Sequence, residues 1–487
     1  MKYVSTRGDK KRLTASQSVL KGIAADGGLY VPRKIPQAYL TPAELSGFNY
    51  NAHALWLMGH YFKNDYTPAE LVKCVDSAYN SQNFSAPGIV NVTESGDAAF
   101  LELYHGKTLA FKDMALSILP HLMSVALKKV SKPKTQVILT ATSGDTGVSA
   151  LEGFKNVEGT KIIVFYPENG VSVIQKQHMI TQSGGNIRVV GVRGNFDDAQ
   201  SEVKRIFLDE KLNKQLEADG YEFSSANSIN TGRLIPQIVY YFYAYSQLVK
   251  GGMSPDTPVN FIVPTGNFGN ILAGCYAKKM GLPINKLICA SNENKVLFDY
   301  FETGVFDSNR EFHLTSSPSM DILVPSNFER LVYHLAGPED DLGRMLANLS
   351  GKQKFKMPVP EDFVGFYATE AEVRAAIKKV FDTHGYLIDP HTAVAYVAHE
   401  KYGARPGERN VIVSTASPYK FAKTVMSSID EKYAAFDDFS LLEKMSELTN
   451  THVPAPLAGL RDKEILHPAV ADISGMKNAV INWYNAC

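Results

Sequence analysis

The chain is 487 residues long, 45% hydrophobic and 21% charged, with 50 Lys and Arg balanced by 50 Asp and Glu. That length is too great for one compact core, so roughly two or three domains are expected. With no net charge there is no overall field to attract nucleic acid or an anionic membrane, and any anion must be held by a local site.

The opening MKYVSTRGDKKRLTAS carries charge where a secretory signal needs an apolar stretch, so secretion is not expected. No run of about 18 apolar residues predicts a membrane span. Cys74, Cys275, Cys289 and Cys487 have no metal-ligand spacing. They read as reduced, buried thiols of a cytoplasmic protein without a metal site. Residues 1–95 are dominated by helical patterns, with one Gly-rich turn at Asp26-Gly27-Gly28, and form a separate N-terminal region.

Beyond Lys134 short apolar runs alternate with amphipathic stretches. Gln136–Thr140, Lys161–Tyr166, Ile187–Val192, Phe261–Pro264, Leu287–Ala290 and Val411–Ser414 predict strands. Several are rich in Val and Ile, as strands covered on both faces are. The clearest helix starts at a capping box, Thr369 with Glu372, carries Val373, Ile377, Val380 and Phe381 on one face, and stops near Gly385. This alternation predicts an α/β fold on largely parallel sheet. The polar stretch Gly251–Pro258 is the best internal boundary, dividing the remainder into α/β halves at 96–255 and 256–487. Gly351–Pro360 and Thr451–Pro456 read as surface connections.

Four segments could carry chemistry. In LYHGKTLAFKDMA, Lys112 lies in an apolar run, where lost hydration would lower its pKa and free the amine to attack a carbonyl. A lysine snorkelling from an amphipathic helix fits the same run. In TATSGDTGVSA a strand opens into a helix through hydroxyls and free N–H groups, which suits a substrate carboxylate. It equally suits a plain helix start capped by Ser143, Asp145 or Thr146. VPTGNFGNILAG places glycines around Asn267-Phe268, so the backbone can wrap a phosphate monoester. It matches neither a Walker loop nor G-x-G-x-x-G, and a tight βα turn is the alternative. SSANSINTGRLIPQ is polar and uncharged except for Arg233, which could grip a carboxylate or phosphate with two prongs, or it is loop and cap. Late in the chain STASPYKF ends another strand with hydroxyls, or is a simple turn.

Taken together and in this order, these motifs resemble the threonine synthase family. YVSTRG with ADGGLYVP resembles its N-terminal signature, and HGKTLAFKD, TSGDTG, NSIN..R, PTGNFGN and STASPYKF follow, with wording closest to the bacterial and fungal branch. The resemblance implies a fold-type II pyridoxal phosphate (PLP) enzyme, tryptophan synthase β-like. Two open α/β halves would close over the cofactor, with an additional N-terminal region. Carried over by motif, Lys112 would bond the cofactor. Gly266, Asn267, Phe268, Gly269 and Asn270 would hold its phosphate, and Thr415 would face its pyridine nitrogen. Ser143, Gly144, Asp145 and Thr146 would lie beside cofactor and substrate carboxylate. Asn227, Ser228, Asn230 and Arg233 would bind the substrate, Arg233 its phosphate.

The implied reaction converts O-phospho-L-homoserine and water into L-threonine and phosphate. It makes the chain a carbon–oxygen lyase acting on a small-molecule phosphate, as monomer or homodimer. Such a reaction needs one permanent and one transient phosphate site, which GNFGN and Arg233 would supply. The sister lyases (threonine ammonia-lyase, cysteine synthase) and a catalytically silent PLP or phosphometabolite binder are the alternatives. The pattern would have proline where Lys107 stands, aspartate at Asn270 and an aromatic residue near Thr231. Lys107 would add a cation close to the active lysine or sit in solvent, and His105 and His391 stay open between substrate contact and structure.

Overall fold

The computed structural model describes residues 1–38, 40–336 and 354–485. Cys487, and residues 351–353 of one expected surface connection, lie outside the described residues.

Each strand expected from an apolar run is present, and all belong to parallel ladders. The strands Thr135–Ala141, Thr160–Pro167 and Ile187–Arg193 form a five-stranded sheet, with Tyr221–Ser225 at one edge and Val470–Asp472 at the other. A six-stranded sheet runs Phe363–Tyr367, Ile284–Ser291, Val259–Pro264, Arg409–Ser414, Ala98–Glu102, Asn91–Ser95. It is parallel except for the last pair. Strands such as Thr160–Pro167 and Val259–Pro264 are buried along their whole length, because helices cover both faces. The helix Glu370–His384 has the expected capping box at Thr369 and ends at Gly385 in the left-handed region, φ 62°.

Strand membership departs from the continuous halves 96–255 and 256–487. Ala98–Glu102 pairs with Arg409–Ser414, so it lies in the sheet of the later half. Val470–Asp472 pairs with Ile187–Arg193 in the sheet of the earlier one. The helix Met476–Asn485 then buries Met476, Val480 and Tyr484 against that earlier sheet. Both strands are short and neither alternates cleanly, so only their long-range partners reveal them.

The N-terminal region is not a separate body. Its antiparallel pair Tyr3–Ser5 and Tyr30–Pro32 and its helices Ala15–Lys21, Tyr50–Phe62 and Pro68–Ala78 share one hydrophobic core with the helix Thr231–Lys250. That helix is buried from Thr231 through Ser246, so the polar stretch before it ends as a helix cap rather than a loop. Tyr50 ties the region in, its ring 5.0 Å from Tyr79 and 5.2 Å from Tyr243. Its buried hydroxyl has no hydrogen-bond partner. Tyr50→Phe should therefore raise stability by about 1 kcal/mol, since an unpaired buried hydroxyl is costly. Tyr50→Ala should lose about 3–5 kcal/mol by leaving a cavity. Urea unfolding midpoints of the two variants check both signs.

Candidate active site

Lys112 is positioned by the six-stranded sheet. Where Ala98–Glu102 ends, Leu103 donates its N–H to the Ser414 carbonyl and Phe111 donates to the Thr415 carbonyl at 2.7 Å. Leu109, with φ 57°, reverses the chain between these contacts. Asp113 locks the turn, accepting the N–H and hydroxyl of Thr108. Lys112 is thereby buried, 8% exposed, in the cavity that Thr415 also lines.

The charges around Lys112 are few and close. Its Nζ donates to Ser319 Oγ at 3.2 Å and lies 3.7 Å from Asp145 Oδ2. Asp145 Oδ1 is 2.5 Å from Lys420 Nζ and accepts from Gln175 Nε2 at 2.8 Å. Burial brings Lys112 down to about 8; Asp145 opposes the shift, while Lys420 and Arg233 add to it. Burial alone would raise the Asp145 carboxyl, but Lys420 and Lys112 hold it far below the usual range. At neutral pH Asp145 is charged and Lys112 is close to losing its proton.

The opposite wall is built for an anion. The strand Val259–Pro264 runs into Gly266–Phe268 and then the helix Gly269–Lys279. Its N-cap Phe268 has φ 65° and offers no side-chain cap, which leaves first-turn N–H groups without an intrahelical partner. A Cβ on Gly266 would stand 2.2 Å from the Ser319 carbonyl oxygen, so only glycine lets the two segments meet here. Asn270 Oδ1 faces the hydroxyls of Tyr240 at 2.6 Å and Tyr241 at 2.8 Å, which turns the amide nitrogen, unpartnered and buried, the other way. Arg233, 2% exposed, donates Nη1 to the Ala226 carbonyl at 2.6 Å, while its Nε has no partner. The helix start with its uncapped N–H groups, Asn270 with its unpaired amide nitrogen and Arg233 with its unpaired Nε line one cavity with a buried amine. That donor set fits PLP, a phosphate joined to an aldehyde that an amine can attack.

Lys112, Thr146, Asn227, Ser228, Arg233, Gly266, Asn267, Phe268, Gly269, Asn270 and Thr415 line one cavity. Ser143 lines a neighbouring cleft with Pro167 and Phe312. Gly144, with φ 129°, is the N-cap of the helix Asp145–Phe154, in place of the side-chain caps considered from the sequence. The Thr142 hydroxyl accepts the N–H groups of Gly144 and Gly147. Asn230 does not face the cavity. Its amide donates to the carbonyls of Val19 and Ser225 and its oxygen accepts the Gly232 N–H, so it is spent as a cap and leaves the substrate set. Lys107 also turns away, half-exposed and paired with Glu152 at 3.3 Å. His105 is bound to Glu102 at 2.8 Å.

Two residues at the centre of the site, Ser319 and Lys420, were not read from the sequence, and a third, His391, was left open between substrate contact and structure. Ser319 bridges Lys112 and Asp145. His391 lines the cavity, takes the Ser319 N–H on Nε2 at 3.3 Å and holds Asp389 through Nδ1 at 2.6 Å. Lys420, within STASPYKF, could have been suspected as a cation in an apolar strand end. Ser319 stands in a polar stretch with no signal at all.

Comparisons agree with this geometry. Residues 2–79 match the threonine synthase N terminus, 98–417 the pyridoxal-phosphate dependent enzymes and 392–477 the threonine synthase C-terminal family. A threonine synthase-like 1 protein of Macaca fascicularis is 40% identical over 439 residues, 86% of this chain and 58% of that one. The chain thus spans under two thirds of the length of that relative. The threonine synthase of Saccharomyces cerevisiae is 33% identical over 509 residues, 96% of this chain and 97% of that one. The crystal structure of PLP-bound threonine synthase from Brucella melitensis has a TM-score of 0.84 at 34% identity, covering 99% of each chain. Matches that run from the N-terminal hairpin to the last strand, around a cavity joining a buried lysine to a phosphate cradle, place this chain in the threonine synthase family of pyridoxal-phosphate-dependent enzymes.

Proposed function

We propose that the chain converts O-phospho-L-homoserine and water into L-threonine and phosphate. The observation that carries this reading is the pair of unpartnered buried donors, Arg233 Nε and Asn270 Nδ2, in the same cavity as the Lys112 amine. The cavity can then accept more negative charge than a single cofactor phosphate brings. An unphosphorylated substrate would leave a buried guanidinium without an anion, at a cost.

When bound, PLP supplies a sink for the electrons left on carbon as protons depart. The rest falls to the chain. Lys112, which would bond the cofactor, is freed as an amine and moves protons at the α and β carbons of the substrate. Gly266–Asn270 would hold the cofactor phosphate and Thr415 would offer its hydroxyl to the pyridine nitrogen. Thr146, Asn227 and Ser228 line the wall where a carboxylate can meet the start of the helix Asp145–Phe154. Arg233 would receive the leaving phosphate by charge-assisted hydrogen bonds. Packing of the Ser319 segment against Gly266 and Lys112 keeps bulk water from the amine.

We assign residues 1–95 to buttressing the long helix that carries Arg233, 96–255 to Lys112 and the SGDTG loop, and 256–487 to the phosphate loop and Thr415. The small-molecule substrate is the partner, the chain acts as monomer or homodimer, and we place the reaction in the cytosol. The free buried thiols Cys74, Cys275 and Cys289 support that compartment. No helix among the described residues is long and apolar enough to cross a membrane.

Purified enzyme given O-phospho-L-homoserine should release phosphate and threonine in equal amounts, and Lys112→Ala should abolish both, together with the visible absorbance of bound cofactor. Absorbance without phosphate release by the native enzyme would return the assignment to the sister lyases. Arg233→Ala should weaken binding of the phosphorylated substrate by about 1.5–3 kcal/mol, read as a raised KM. Unchanged KM and kcat would remove Arg233 from the site. The base must be unprotonated, so kcat, which reports the substrate complex in which Lys112 would be a free amine, should climb as pH rises through about 8 and fall below it as that amine gains its proton. A flat pH profile there would separate Lys112 from the proton transfers.

A further inference from the structure

Lys112 shares its site with a second buried lysine. Lys420, in the short helical turn Pro418–Phe421, is 1% exposed. Its Nζ lies 2.5 Å from Asp145 Oδ1 and donates to the Thr108 carbonyl at 2.8 Å. Lys112 Nζ is 3.7 Å from Asp145 Oδ2, beyond hydrogen-bond reach, and its near partner is the neutral Ser319 hydroxyl at 3.2 Å. Two ammonium groups compete for one carboxylate out of contact with water, and the competition is unequal. Lys420 has a carboxylate and a carbonyl within hydrogen-bond distance, whereas Lys112 has a hydroxyl within that distance and the carboxylate farther off. Burial lowers the pKa of Lys112, and the charge of Lys420 adds to that shift.

We propose that Lys420 is a positioning residue that keeps Lys112 available as a free amine by taking Asp145 for itself. The inference rests on Lys112 being the lysine of the proposed reaction. Lys420 acts in two ways. It draws the carboxylate away from Lys112, and its own charge repels a proton arriving there. The other groups facing the pair do not reverse this. Arg233, from the long helix, adds another cation. The carboxyl of Asp113 is turned to Thr108, whose N–H and hydroxyl it accepts on its two oxygens, and it makes no ion pair with Lys112 among the described residues. His391 is engaged by Asp389 on one nitrogen and by the Ser319 N–H on the other. His178, behind Lys420, is brought down to about 3 by burial and then by Lys420, and stays neutral.

The arrangement has a use in the reaction. While Lys112 is bonded to the cofactor, Asp145 keeps a cation at 2.5 Å and is never left as a lone buried charge. A free Lys112 amine would stand beside a carboxylate whose closer partner is already Lys420.

Trace acetylation of the full-length protein freed of cofactor, followed by mass spectrometry across a pH series, reads the titration of Lys112 without substrate. Lys420→Met should move the Lys112 midpoint up by about one pH unit or more. Lys420→Gln removes the charge but keeps N–H donors for Asp145 and the Thr108 carbonyl, and should shift the midpoint equally; it decides the matter if the Met variant does not fold. Lys420→Arg should restore the original midpoint. In the loaded enzyme the acidic limb of the pH–rate profile should move in step. A folded Met or Gln variant with an unchanged midpoint, or an Arg variant shifted as far as those two, overturns the proposal. Absence of phosphate release by the native enzyme is a separate result: it removes the reaction and leaves the titration standing.

Discussion

Lys112 and Arg233 are buried at the wall of one cavity and Lys420 is buried beside it, and among the described residues one carboxylate, Asp145, lies within ion-pair reach of both lysines. Burying a charge is tolerated only when it is paired or can shed its proton. The three cations meet that condition differently. Lys420 is paired, Lys112 is brought toward the neutral amine, and Arg233, which cannot lose its proton, is left with an unpartnered nitrogen facing the cavity. The excess positive charge suits the proposed binding of phosphate, and the inequality between the lysines suits the proposed role of Lys112.

The two-sheet architecture brings these groups together. Parallel strands deliver their carboxyl ends, and the helix starts that follow them, to one edge of each sheet. The ends of Thr135–Ala141, Val259–Pro264 and Arg409–Ser414 therefore supply the SGDTG turn, the phosphate loop and Thr415. Because Ala98–Glu102 is inserted beside Arg409–Ser414, Lys112 rides on the same sheet as Thr415 and the phosphate loop. Asp145 rides on the other sheet. The link between lysine and carboxylate thus spans the two sheets, as does the ion pair of Lys420 with Asp145. Motion of one sheet against the other would change the very distances that set the protonation of Lys112.

The long helix Thr231–Lys250 adds the third support. It carries Arg233 in its first turn, and it presents Tyr240 and Tyr241 to Asn270. With aspartate in place of Asn270, the same tyrosines would hold an anion beside the phosphate cradle. Asparagine directs a donor there instead, so this departure from the family pattern agrees with anion binding. The N-terminal helices bury the far side of the long helix and keep its first turn in place.

Local chemistry left a clear record in the chain. Apolar runs rich in Val and Ile had to be buried strands, Thr369 with Glu372 had to start a helix, and the loops after Thr135–Ala141 and Val259–Pro264 were legible as anion sites. Lys112 stood out as a charge in an apolar run. What the chain could not declare were pairings between distant segments. Whether Lys107 faced Lys112 or Glu152, and whether Asn230 held substrate or capped a helix, depended on neighbours many residues away. So did the edge strands Ala98–Glu102 and Val470–Asp472, and the meeting of Ser319, His391 and Lys420 at the lysine. By itself the sequence determined the element types and marked the glycine loop and Lys112 as candidates, since these follow from short-range periodicity, capping and turn chemistry. Only the tertiary structure decided which lysine owns the carboxylate, because a buried charge takes its state from the groups packed around it in space, not from its neighbours in the chain.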